Sequence, residues 1–160
     1  MSVVAEKSMS ESFAEVGLTA EERRLVTQWQ PLLDPQVPIV AARYYAHLKT
    51  TEVGRLLTAD RIDQLLAARI AHWRLLIRGD FEGVAADYAE RFGRRLFDAG
   101  FPMRIFVVAT DWFVVEFGRF IDAAPEIPAA VRGDLRVALG RYAFLDLLLA
   151  HASREVAYLD

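Results

Sequence analysis

The chain of 160 residues contains no cysteine. Disulfides, thiolate metal centres and a cysteine nucleophile are therefore excluded, and the composition fits a reducing compartment, so a cytoplasmic location is expected. Histidine is scarce as well. His47, His72 and His151 are the whole supply, too scattered for the converging donors that a zinc site needs. Charge of one sign is also lacking: 19 basic and 22 acidic residues are interspersed, for a net charge of -3, which leaves no electrostatic footprint for nucleic acid. Arg or Asp interrupts every apolar stretch before it reaches the roughly 18 residues of a membrane span, and the N-terminus has no signal-peptide core. Internal repeats, period-two alternation and a glycine-rich phosphate loop are missing too. No Ser-His-Asp order and no paired carboxylates on an apolar face suggest acid–base chemistry, so enzymatic activity within this chain is not expected.

What the chain does have is hydrophobic content of 54%, enough for one sizeable core at this length and too little for two. Residues 1–18, rich in Ser and Glu, read as a loosely ordered arm, and 19–160 as a single all-α domain. TAEE, with Thr19 and Glu22, is a capping-box start for a helix through about Leu33 that Pro31 and Pro35 close. A second helix is expected over about Val37 to Lys49, and a third from Thr58 or Asp60 to Ile77, stopped by Gly79 and Asp80. A fourth should cover Phe81 to Phe97, a fifth run from Pro102 to about Asp122, and a sixth from Ala129 to Tyr158. Six helices, the last two long, suggest globin-like packing rather than an even four-helix bundle.

Helical wheels place the inward faces. On the third helix Ile62, Leu65, Leu66, Ile70, Trp73, Leu76 and Ile77 form one stripe. Arg69 falls inside it and His72 at its edge. An arginine there either packs its stem and sends its head to water, or faces a pocket and holds a ligand carboxylate. Tyr44 lies at the centre of the second helix's stripe and Tyr45 nearer its edge, while His47 is turned away. On the fourth helix Phe81, Val84, Ala85, Tyr88, Phe92 and Leu96 share a face. The last two helices, with Trp112, Phe113, Phe117, Phe120, Phe144 and Leu148, are apolar over more than one stripe, as expected of a partner-binding surface.

Three strings carry a family resemblance: RYYAHL at 43–48, IAHWRLLIRGDFEGVAADY at 70–88, and RRLFDAGFPMRIF at 94–106. In order and spacing, over roughly residues 20–158, the chain resembles the sensor-globin (protoglobin-like) domain of bacterial globin-coupled sensors. The resemblance implies a globin-like fold, and together with the inward faces it gives a candidate ligand pocket of Tyr44, Tyr45, Leu65, Leu66, Arg69, Ile70, Trp73, Phe92 and Leu96. It also implies a homodimer through the last two helices and an output domain elsewhere in the full-length protein. It puts Tyr45 at the position of the tyrosine that hydrogen-bonds a bound gas, and Leu96 at the position of the iron-ligating histidine. Leucine cannot ligate iron. The expectation is thus a regulatory sensor module, with no metal ligated in the family manner, that answers to a non-haem ligand or relays a signal through its dimer interface. Two alternatives stand beside it: a haem-based gas or redox sensor ligated by His72, and a ligand-free helical scaffold. The chain, which stops directly after a helix, is expected to be a piece of a longer protein or a standalone remnant.

Overall fold

The structure, a computed structural model, describes residues 3–92 and 104–157. Its best-defined start is the one that the sequence spells out. The Glu22 amide donates to the Thr19 hydroxyl at 3.1 Å, and the Thr19 amide donates to the Glu22 carboxylate at 2.9 Å, the reciprocal bonding that satisfies two orphan donors of a first turn. Helix α2 follows over Ala20–Leu33. Pro31 sits inside its last turns rather than closing it, and a single 3-10 turn, Asp34–Gln36, leads directly into α3 (Val37–Leu48). A short helix not expected from the pattern, α4 (Glu52–Arg55), is capped by the Thr51 hydroxyl. Its Gly54 is required by close approach, since a Cβ there would lie 1.8 Å from the Leu48 carbonyl oxygen.

Helix α5 (Ala59–Ile77) is capped by Thr58 and ends as expected at Gly79, whose φ of 70° is left-handed. Asp80 then caps α6 (Phe81–Asp87), with the Gly83 amide donating to its carboxylate at 2.9 Å. The expected single helix from Phe81 to Phe97 is not continuous in type: α-helical bonding gives way to a π-helical turn over Tyr88–Phe92. Beyond it, the expected helix end and the Ala99-Gly100-Pro102 junction lie outside the described residues. Two long helices, α7 (Arg104–Ala123) and α8 (Ala129–Ala157), complete the chain. They form its most extensive helix pair, against which the N-terminal helix α1 (Val3–Val16), α2, α3 and α6 pack. Between them Arg132 donates to the backbone oxygens of Asp122, Ala124 and Ile127, so one guanidinium satisfies the carbonyls left open where α7 ends.

The N-terminal arm is a correction to the sequence reading. Val3–Val16 forms a helix, α1. Met9, Phe13 and Val16, at helical spacing, pack against the core, and the Phe13 ring meets Phe81 edge-on at 5.2 Å. Ser and Glu fill the other face and masked this stripe in the composition. No strand occurs among the described residues, and no described helix is long and apolar enough to cross a membrane.

Candidate functional site

Four charged side chains converge in the core where α5, α6 and α8 meet. Arg69 and His72 come from α5, one turn apart, and are 2% and 0% exposed. Asp87, the last residue of α6, and Asp146 on α8 are each 4% exposed. The imidazole joins the two acids. Its Nδ1 lies 2.7 Å from Asp87 Oδ2 and its Nε2 lies 2.7 Å from Asp146 Oδ1. The Tyr88 hydroxyl donates to that same Asp146 oxygen at 2.7 Å, and its ring stands edge-on to His72 at 4.6 Å. The Arg69 guanidinium lies over the faces of Trp73 and Phe106, 5.5 and 5.8 Å from their centroids, in favourable cation–π positions.

Both nitrogens of His72 face carboxylate oxygens, which accept and do not donate, so both must carry a proton. The ring is an imidazolium. Burial alone would push its pKa down, but the Asp146 charge and the hydrogen bonds to Asp146 and Asp87 outweigh burial and the repulsion from Arg69, and the pKa is raised. Burial likewise opposes the charge on Arg69, yet Tyr45, Tyr88, Tyr44 and Asp146 outweigh it and the group stays cationic. Tyr88 is held well above its ordinary value by burial and by Asp146, so it remains a donor. Burial also pushes Tyr44 up to about 12, against the pull of Arg69. Two cations and two anions balance, which is the condition under which buried charge is tolerated.

Of the residues singled out in the sequence, Tyr44, Tyr45, Arg69 and Trp73 are buried around this cluster. The Tyr44 ring touches Tyr45, Trp73 and Trp112 at 5.0, 6.4 and 6.1 Å. Leu65, Leu66 and Ile70 are half-buried against the core. Leu96 and the Phe92 side chain lie outside the described residues. Arg69 does not send its head to water, because the acids and rings around it remove the need. His72 is central rather than at an edge, and both of its ring nitrogens are engaged by aspartate oxygens. At the other candidate surface, Phe113 and Phe117 are 1% and 0% exposed. They stack on Trp73 and on each other inside this chain's own core, so they are not outward contact residues. Phe144 is 60% exposed, while Trp112, Phe120 and Leu148 are half-buried.

Asp87 and Asp146 were missed by the sequence reading, which found no paired acids on an apolar face. The signal was present. Asp146 interrupts the run FLDLLL and falls seven residues after buried Leu139 and four after buried Tyr142, and Asp87 lies three residues after buried Val84.

A family model described as Protoglobin matches residues 5–159, nearly the whole chain. No curated protein matches. Haem is normal in that family, and its fit can be tested on the donors present. His72 is committed to two carboxylates. His47 is exposed, with its ring 5.1 Å from Trp112, and His151 is exposed near the end of α8. Among the described residues, His72 gives both nitrogens to aspartate oxygens and His47 and His151 lie at the surface, so the histidines do not fit a haem held in the core by an axial imidazole.

Proposed function

This chain belongs to the protoglobin family, and from that premise we propose that it is the regulatory sensor-globin module of a bacterial signalling protein working without histidine-ligated haem. The observation that carries the reading is the capture of both His72 nitrogens by Asp87 and Asp146. An interior stabilised by a protein-supplied ion cluster has no need of an iron centre to complete it. The chain itself carries no enzymatic activity and acts in the cytoplasm, and the activity that it regulates belongs to a separate output domain. Its partner is a second copy, paired through α7 and α8. Support for that pairing comes from apolar side chains left in solvent on these helices, Val107 and Val115 on one, Val137 and Phe144 on the other, a pattern that marks contact surfaces.

Haemin titration of the purified chain tests the first part of this reading. Free and protein-mixed haemin should give the same broad spectrum, with no sharp Soret band. A sharp band that disappears in only one of His47→Ala, His72→Ala or His151→Ala would overturn it and name the ligand. Analytical ultracentrifugation tests the second part: a dimer is expected, and Phe144→Asp with Val137→Asp should give a folded monomer.

A further inference from the structure

A second hollow lies away from the ion cluster, between the C-terminal half of α3, the α4 segment and the first turns of α7, with a volume near 280 Å³. Its walls are the branched side chains of Leu48, Val53, Ile105 and Val108, with the Tyr44 ring at its inner end. The side chains of Arg104 and His47 also line it, and no acid does. Arg104 is exposed and makes no hydrogen bond or ion pair among the described residues, so its charge is available to a guest. Branched apolar walls with one cation are the complement of a small molecule that has an apolar body and a single negative group. The size is at the lower end for small-molecule sites, which favours a compact ring over a long chain.

We propose that this hollow is a binding site for a compact aromatic monocarboxylate, with the ring against Leu48, Val53, Ile105 and Val108 and the carboxylate paired with Arg104. Neutral analogues of the same shape lose that pairing. The site is also placed to be felt elsewhere. Its inner wall, Tyr44, donates its hydroxyl to the Ile105 carbonyl at 3.4 Å, and so ties α3 to the start of α7, while the same ring touches Trp73 beside the ion cluster. A guest between these elements biases how α3 sits on α7.

Calorimetric titration of the whole chain with phenylacetate and with its neutral isostere phenylacetamide tests the assignment, with Trp112 fluorescence as a second readout because its ring lies against both Tyr44 and His47. Phenylacetate should bind saturably at one site, at least tenfold more tightly than the amide. Arg104→Gln should erase that difference, and Val108→Trp, which fills the hollow from an exposed position, should abolish binding of both while the circular dichroism spectrum stays unchanged. Absence of saturable phenylacetate binding to the parent chain overturns the proposal. So does equal affinity for acid and amide, or full discrimination retained in Arg104→Gln. Binding is read independently of haem and of oligomeric state, so a negative result leaves the sensor reading standing.

Discussion

Replacing His72 by alanine should be among the most damaging single changes available to this chain. The imidazolium holds two carboxylates that are 4% exposed, each at 2.7 Å. Hydrogen bonds to charged groups contribute about 1.5–3 kcal/mol each, and removing one partner of a buried pair costs about 3–5 kcal/mol because the other charge is left behind. Here two acids are left, facing each other across the vacated ring. Against a total stability of about 5–15 kcal/mol, the expected loss is a large fraction of the whole. At about 2–4 °C per kcal/mol for a domain of this size, the melting temperature should fall by about 6–20 °C. Urea denaturation followed by circular dichroism measures the loss, with His47→Ala, an exposed site, expected within about 0.5 kcal/mol of the parent. The pH dependence adds a second signature. The folded pKa of His72 is raised above the unfolded value of about 6.5, so its stabilisation is fully present below that pH and is lost as pH rises through the folded value, with a slope of at most about 1.4 kcal/mol per pH unit. The parent should therefore weaken toward alkaline pH, and His72→Ala should lack that component. A variant within about 1 kcal/mol of the parent would refute the reasoning.

Four further outcomes follow from individual contacts. Tyr88→Phe removes the hydroxyl that donates to Asp146 at 2.7 Å and should cost about 1.5–3 kcal/mol in chemical denaturation while leaving the ring packing intact. Phe113→Ala, at a 1% exposed site stacked on Trp73 and Phe117, should cost about 3–5 kcal/mol at any protein concentration. Phe144→Ala, at 60% exposure, should stay within about 0.5 kcal/mol of the parent in chemical denaturation and weaken the proposed dimer in sedimentation. Thr19→Ala breaks the capping box that starts α2 and should cost about 1 kcal/mol, read as a melting shift of about 2–4 °C.

Much of the fold could be read from punctuation. Thr19, Thr58, Gly79 and Asp80 act locally, through hydroxyl caps and one left-handed glycine, and local chemistry is what a sequence displays directly. Three features depend on contacts distant in sequence and were therefore hidden. Helix α1 owes its place to Phe13 meeting Phe81. The π-helical turn at Tyr88–Phe92 follows directly on Asp87 and begins at Tyr88, which both commit their side chains to the cluster. The pairing of residue 72 with residue 146 across 74 positions has no periodic trace at all. A helical wheel could mark Arg69 as inward, but it could not say what balanced the charge. That answer lay in two aspartates which, taken singly, look like polar interruptions in apolar runs.

The same balance decides what the cluster can become. Arg69 and His72 bring two positive charges and Asp87 and Asp146 two negative ones. For His72 to ligate iron, one ring nitrogen must give up its proton and its carboxylate together. If Nε2 were freed, Asp146 Oδ1 would keep, among the described residues, the Tyr88 hydroxyl alone, and the four groups would carry a net negative charge in a setting where each uncompensated ion costs several kcal/mol. The Nδ1–Asp87 bond would by contrast favour ligation, because a carboxylate behind a histidine raises its basicity toward a metal. The obstacle is therefore Asp146 rather than Asp87. Asp146→Asn should consequently lower the pKa of His72 and shrink the stability that this ring supplies below it. Stability of the parent, read by urea denaturation across pH, should fall toward alkaline pH, and Asp146→Asn should show a smaller fall that begins at lower pH. If Asp146→Asn loses stability with pH over the same range as the parent, charge on Asp146 is not what holds the proton on His72.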